Sequence, residues 1–380
     1  MADNPPARIS APDGKIPSLD GIRAIAMALV FLAHNGLENI VPGGLGVTVF
    51  FVLSGFLIST LMRSEYAATG ELDFRGFYLR RLLRLMPPLV CVAALAGLLA
   101  VLGAIDGAFT VNGLLAVLFY YGNYFVIAND YAGLPAGLGV VWSLAVEEHY
   151  YLLYPPLAAV LLHVGRAGLS ARVLLALCAL VLAWRCWLAL HGASDAHLTM
   201  ATDTRVDAIL AGCLMALWRN PWLDPLPAAN ARRDLLIAAS CGAVLLYTLL
   251  DRNAFFRVTF RYTLQGAAVA PLIYLAVARA RSWPFRWLNA SPLVYLGAVS
   301  YTMYLAHHVV LLAIARHWPQ LHWSAATLAA LVLTLAIAVP MRRWVELPCS
   351  RLRQRLHGGH NPTGSILPPR TASITAGSAP

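Results

Sequence analysis

An all-α, polytopic bundle of transmembrane helices, about ten spans plus one re-entrant or surface segment, is the fold class this sequence predicts. Three observations predict it. Hydrophobic residues make up 59% of the 380 positions and charged residues only 12%, against about 25% charged residues in soluble domains. Apolar runs recur along the whole chain, at lengths near the roughly 20 residues that cross the bilayer hydrocarbon. The charge is +10, Lys15 is the only lysine, and the arginines fall in short clusters between the apolar runs. That clustering follows the positive-inside rule, so the basic balance points to a lipid bilayer and no nucleic acid is expected as a partner.

The elements follow in order. Residues 1–17 are polar, proline-containing and lack an apolar core, so they are expected to form a disordered cytoplasmic N-terminus and no cleavable signal. Apolar segments then lie near 20–39, 44–62, 87–105, 111–127, 139–162, 172–191, 205–218, 234–250, 263–278, 292–315 and 324–341. Loop charge decides which of the eleven cross. Arg8 and Lys15 precede the first segment, and Arg63, Arg75, Arg80, Arg81 and Arg84 follow the second. If 111–127, interrupted by Gly122 and Asn123, were a full span, the later clusters Arg166/Arg172 and Arg219/Arg232/Arg233 would lie outside. Treated as re-entrant or surface-lying, it leaves every later cluster inside except Arg252, Arg257 and Arg261. Ten spans with both termini cytoplasmic result. A membrane domain is thus expected over 18–350, followed by a basic and then disordered cytoplasmic tail over 351–380, in the inner (plasma) membrane. The six cysteines form no CxxC, no metal pattern and no disulfide framework.

Ionisable residues inside spans are costly and by default mark function. Arg23 and His34 are eleven residues apart in the first span, close to three turns, hence on one face and about 16 Å apart. Glu147 and Glu148 lie in Trp142-Ser143-Leu144-Ala145-Val146-Glu147-Glu148, Arg205 and Asp207 open a later segment, and Tyr301, Tyr304, His307 and His308 share another. The topology brings His34, Glu147 and His307 to similar depth. Histidine can take a proton from a hydroxyl and return it, and a carboxylate beside it would fix its tautomer. Glu147 is expected in that supporting role, the alternative being an ion pair with a buried arginine such as Arg205. His307 is either part of the site or a hydrogen-bonded packing residue. No HExxH, GxSxG, P-loop or GxGxxG occurs, so no metal is expected and direct transfer between two bound substrates is favoured over a covalent intermediate. Arg81 and Arg84, three apart on one helical face, match phosphate oxygens, or else serve as positive-inside anchors. Ser54-Gly55 reads as close helix packing.

Several stretches match a known family in order over roughly residues 17–350. They are Leu19-Asp20-Gly21-Ile22-Arg23 with His34, Val49 to Ile58 around Ser54, Arg81-x-x-Arg84 before Pro87, and Trp142-Ser143-Leu144 with Glu147-Glu148. Arg205-x-Asp207 with Gly212, Ser300-Tyr301 with Tyr304-Leu305-x-His307, and Val345-Glu346-x-Pro348 complete the set. On these motifs the chain resembles the acyltransferase-3 family of membrane O-acyltransferases, in its short form without the SGNH-type domain. The resemblance implies an enzyme that moves an acyl group, usually acetyl, from acyl-CoA on the cytoplasmic side. Acyl-CoA is a co-substrate, and no bound cofactor is expected. The acceptor would be a hydroxyl of a cell-surface or exported glycan or glycoside, such as a lipopolysaccharide O-antigen sugar, an exopolysaccharide or peptidoglycan. It implies catalysis by His34, with donor contacts from Arg81 and Arg84. Asp20, Arg23, Ser54, Arg205, Tyr301 and His307 are carried over as substrate-binding positions. Histidine at 149 and alanine at 306 depart from the family pattern. The competing class is a transporter or flippase of a polysaccharide-export system, since buried His, Glu and Arg also build proton relays. The sequence shows no inverted repeat of the kind transporters carry.

Overall fold

The computed structural model describes residues 15–107 and 109–355. Of the disorder expected over residues 1–17 and within the 351–380 tail, residues 1–14 and 356–380 lie outside the described residues, whereas Ile16 is buried against the bundle. The helices in chain order are α1 Leu19–Leu32, α2 Gly43–Thr69, α3 Phe74–Val101, α4 Val111–Leu118, α5 Gly122–Asn129, α6 Trp142–Val164, α7 Ala167–Leu190 and α8 Asp195–Met200. They continue as α9 Thr202–Trp218, α10 Ala231–Leu250, α11 Ala254–Val258, α12 Phe260–Ala278, α13 Ser291–His317, α14 Trp323–Met341 and α15 Leu347–Arg355. Among the described residues the only β pairing is an isolated bridge between Phe109 and Gly133. The all-helical expectation holds.

Ten of these helices, α1, α2, α3, α6, α7, α9, α10, α12, α13 and α14, have at least 14 residues, and each corresponds to one of the ten segments expected to cross. The segment at 111–127 instead breaks into α4 and α5, of 8 residues each. At about 1.5 Å per residue neither reaches across roughly 30 Å of hydrocarbon. Among the described residues six stretches combine sufficient length with sufficient apolarity for a span: α2, α3, α7, α10, α13 and the continuous run Trp323–Arg353. The remaining long helices, α1, α6, α9 and α12, are those that carry Arg23, Glu147, Arg205 and Gln265 into the bundle.

Burial separates a central from a peripheral set. In the apolar window of α2, 67% of residues are buried, against 6% for α10. Peripheral helices turn bare aliphatic side chains outward, among them Leu180, Leu250 and Leu328, which is the surface a bilayer solvates. The central helices approach through glycine. Gly55 of α2 lies against the Ile209 carbonyl, and Gly212 of α9 against the Val52 carbonyl, the small-residue contact by which helices pack in lipid. Gly297 of α13 lies in the same way against the Asp20 carbonyl at the start of α1. That contact sets α1 and α13 side by side.

Two helices depart from regular geometry where the site forms. α1 continues into a π turn, Ala33–Leu37, kinked at Asn35 and Gly36, the latter at φ 84. α14 continues through a second π turn, Arg342–Glu346, into α15. Such wide turns rotate the side chains that follow and often accompany functional sites. A buried ion pair fixes the centre: Arg185 of α7 meets Asp207 of α9 at 3.0 Å, with both side chains essentially inaccessible.

Candidate active site

A cavity of about 440 Å³ opens at the end of the bundle where α1, α3 and α13 begin and α14 ends. Its walls come from distant parts of the chain. α1 supplies Asp20 and Arg23, α2 supplies Phe50 and Ser54, and α3 supplies Arg81 and Arg84. α6 contributes Ser143 and Glu147, and α13 contributes Ser300, Tyr301 and Tyr304. The π turn and α15 complete the rim with Arg342, Glu346 and Arg353. Tyr304 lies thirteen residues into α13, so the cavity reaches about 20 Å into the bundle.

Local sequence explains the wall at α3. Asp73 caps the helix, its carboxylate accepting from the Gly76 backbone N–H at 2.8 Å, and the arginines follow on the second and third turns. Pro87 and Pro88 lie inside the helix. Lacking N–H groups, they leave the Leu83 and Arg84 carbonyls without their helical donors, and both residues line the cavity. Arg81 is held over the rings of Phe77 and Tyr151 at 5.7 and 5.3 Å.

Charge in the cavity is unevenly compensated. Arg23 pairs with Asp20 at 2.7 Å. Glu147 accepts from the Tyr151 hydroxyl at 2.9 Å, and Glu346 from Thr302 at 2.5 Å. Among the described residues no carboxylate stands within ion-pair distance of Arg81, Arg84, Arg342 or Arg353, although all four line the cavity. Guanidiniums gathered without carboxylate partners match the oxygens of phosphate groups.

The cavity ends at Tyr304, whose hydroxyl makes contacts with Ser143 Oγ at 2.7 Å and the Val140 carbonyl at 2.9 Å. One turn further along α13 lies a cluster of three histidines. His34 from the π turn of α1 has its ring 5.1 Å from that of His307 and 5.4 Å from that of His308. His34 Nδ1 lies 2.9 Å from the Val30 carbonyl, and His307 Nδ1 lies 2.7 Å from the Tyr304 carbonyl. A carbonyl only accepts, so both Nδ1 atoms carry the proton. His307 Nε2, 3.3 Å from His34 Nδ1, is then an acceptor for that same N–H. His34 is left with a bare lone pair on Nε2, on a residue that is exposed while His307 is completely buried. An imidazole so fixed can take a proton from a hydroxyl.

The residues expected from the sequence therefore divide into two adjoining groups. Asp20, Arg23, Ser54, Arg81, Arg84, Glu147 and Tyr301 line the cavity, and Tyr301 also donates to the Leu85 carbonyl at 2.7 Å. His34 and His307 meet beyond its floor. The expected pairing of Glu147 with His34 is corrected: Glu147 hydrogen-bonds Tyr151, and the partners of His34 are Val30 and His307. The alternative pairing of Glu147 with Arg205 is not present among the described residues either. Arg205 is buried outside the cavity, with its guanidinium 3.7 Å from the Tyr262 ring and donating to the Thr199 carbonyl at 3.1 Å. Side chains of similar depth need not converge, because helix rotation decides which neighbour each one meets.

Sequence reasoning missed Ser143 and Tyr304 as the floor, His308 as the third ring, and Arg342 and Arg353 as cavity residues. The last two read in the sequence only as a basic tail; the π turn that aims them inward has no signal there.

A family description for an acyltransferase domain matches residues 16–343. The chain is similar to the peptidoglycan O-acetyltransferase OatA of Listeria monocytogenes, with 28% identity over 307 residues, 78% of this chain and 49% of that protein. It is 33% identical over 311 residues to the putative peptidoglycan O-acetyltransferase YrhL of Bacillus subtilis, covering 78% of this chain and 48% of that one. The O-acetyltransferase OatA of Staphylococcus aureus matches at 28% over 355 residues, 88% of this chain and 57% of the relative. The chain thus spans about half the length of the curated relatives it matches. No solved structure matches it.

Proposed function

Because the chain belongs to the acyltransferase domain family, we propose that it is a membrane O-acetyltransferase, moving an acetyl group from acyl-CoA to a hydroxyl of a cell-wall glycan. The observation that carries the donor half is the set of uncompensated arginines, Arg81, Arg84, Arg342 and Arg353, around one deep cavity. A phosphorylated donor with a long thioester arm fits it, phosphates among the guanidiniums and thioester toward Ser143 and Tyr304. The cavity opens at the arginine-rich end, and the positive-inside rule makes that end cytoplasmic, with both termini there and the protein in the plasma membrane.

The acceptor half rests on His34 and on the relatives, two of whose names specify peptidoglycan. With Nδ1–H fixed by the Val30 carbonyl, His34 Nε2 takes the proton of the acceptor hydroxyl as its oxygen attacks the thioester carbonyl. The C–O ester bond forms, the C–S bond breaks, and the imidazolium returns the proton to the departing thiolate. His307 Nε2 supports the imidazolium by accepting from Nδ1. The thioester stays intact until the acceptor oxygen attacks it, and Tyr304, which closes the floor, stands between it and His34.

The deciding experiment reconstitutes the purified protein in liposomes with acetyl-CoA and a peptidoglycan fragment, and follows acetyl ester by mass spectrometry. Ester formation that disappears in His34→Ala is expected. A wild-type protein that neither transfers nor hydrolyses the acetyl group, but moves glycan across the bilayer, would establish the transporter class instead.

A further inference from the structure

The family match ends at residue 343, yet the cavity does not. Leu347, Cys349, Ser350 and Arg353 of α15 form one side of its rim. Arg353 is half-buried there, and among the described residues its guanidinium hydrogen-bonds only Ser350 Oγ on its own helix, at 3.5 Å. α15 packs against α3, whose Arg81 and Arg84 line the same cavity, and the charges of Arg80 and Arg84 act directly on Arg353. Like charges brought together from two separate elements repel, and no carboxylate among the described residues offsets Arg353. A bound polyanion would offset Arg81, Arg84 and Arg353.

Depth within the cavity orders its cations. α3 runs inward from Phe74, so Arg84 lies about a turn deeper than Arg80 and Arg81. The floor is Ser143 and Tyr304. A donor that enters thioester first leaves its nucleotide at the rim, where Arg353 is the α15 guanidinium that lines the cavity. We propose that Arg353 of α15, facing Arg84 of α3, binds the ribose 3′-phosphate of the donor nucleotide, so that the C-terminal helix selects coenzyme A over its 3′-dephospho form. The proposal rests on the coenzyme A reading of the cavity. Its chemistry, guanidinium with a phosphate monoester, is shared with the headgroup of an anionic lipid.

The test measures, by titration calorimetry, binding of coenzyme A and of 3′-dephospho-coenzyme A to the full-length protein in phosphatidylcholine nanodiscs. The wild type is expected to bind coenzyme A roughly tenfold more tightly or better, the scale of a charged hydrogen bond. Arg353→Gln should bring the ratio to about one with dephospho-coenzyme A binding unchanged, and Arg353→Lys should retain part of it. Equal binding of both nucleotides by the wild type overturns the proposal and leaves the donor reading intact, as does an Arg353→Gln protein that weakens both alike. Binding of neither nucleotide overturns the donor reading together with the proposal. In phosphatidylglycerol nanodiscs, thermal stabilisation by the lipid that is lost in Arg353→Gln, with a nucleotide ratio of one, would assign the residue to a lipid headgroup and overturn the proposal.

Discussion

His307 Nε2 lies 3.3 Å from His34 Nδ1, although 273 residues separate the two in sequence. Each ring spends its Nδ1–H on a backbone carbonyl, so the pair is held in one tautomeric arrangement with the lone pair of His34 Nε2 outward. His34→Ala is expected to lower transfer by 10²–10⁴-fold, the scale of positioned general-base catalysis, with donor KM retained. Acetyl-ester quantification on protein reconstituted at matched levels checks this, and near-normal transfer would remove His34 from the chemistry.

His307 acts through His34. His307→Phe keeps the ring volume and removes the acceptor for His34 Nδ1–H. We expect kcat to fall by about fivefold, in line with the roughly 1 kcal/mol of a neutral hydrogen bond, while KM for acetyl-CoA stays put. A KM rise with unchanged kcat would place His307 in substrate binding.

Arg81 and Arg84 line the cavity without carboxylate partners. Replacing either by Gln should raise KM for acetyl-CoA by about tenfold or more, the scale of a charged hydrogen bond. Steady-state kinetics over donor concentration give the answer; an unchanged KM would reassign them to topology.

Glu147 hydrogen-bonds Tyr151 in the cavity wall. Glu147→Gln is therefore expected to alter donor KM with little change in the pH profile of kcat. A displaced kcat profile with constant KM would instead tie Glu147 to His34.

Tyr304 closes the cavity floor through Ser143 and Val140. Tyr304→Ala should open it, and the rate of acetyl-CoA hydrolysis should rise relative to transfer. A thiol-release assay with and without glycan measures the ratio, and a constant ratio would show that the floor does not control access.

Arg185 and Asp207 form a buried pair. Asp207→Ala leaves an uncompensated guanidinium and should destabilise the bundle by about 3–5 kcal/mol. Thermal unfolding in detergent reads the loss, and a stability equal to wild type would mean the pair is dispensable.

Much of the fold was legible because hydrocarbon is an unforgiving solvent. A stretch that faces lipid must be long, apolar and helical, and those properties are local, so composition and loop arginines alone mark α2, α3, α7, α10 and α13. They also mark 111–127 as the odd segment, which the structure divides into α4 and α5. Motif order likewise led to Arg23, Arg81, Arg84, Glu147 and Tyr301, all of which line one cavity.

What the sequence by itself determined is thus the helical membrane architecture, the family, and the list of polar residues sent into the bundle. Only the tertiary structure decided how that list divides: Glu147 with Tyr151 at the cavity, His34 with His307 beyond its floor, Arg205 against Tyr262 in the core. The physical reason is that burial can be read residue by residue, whereas pairing depends on helix rotation and contact. Those are set by glycine contacts such as Gly297 with Asp20 and by the two π turns, which redirect His34 and Arg342 without leaving a period in the sequence.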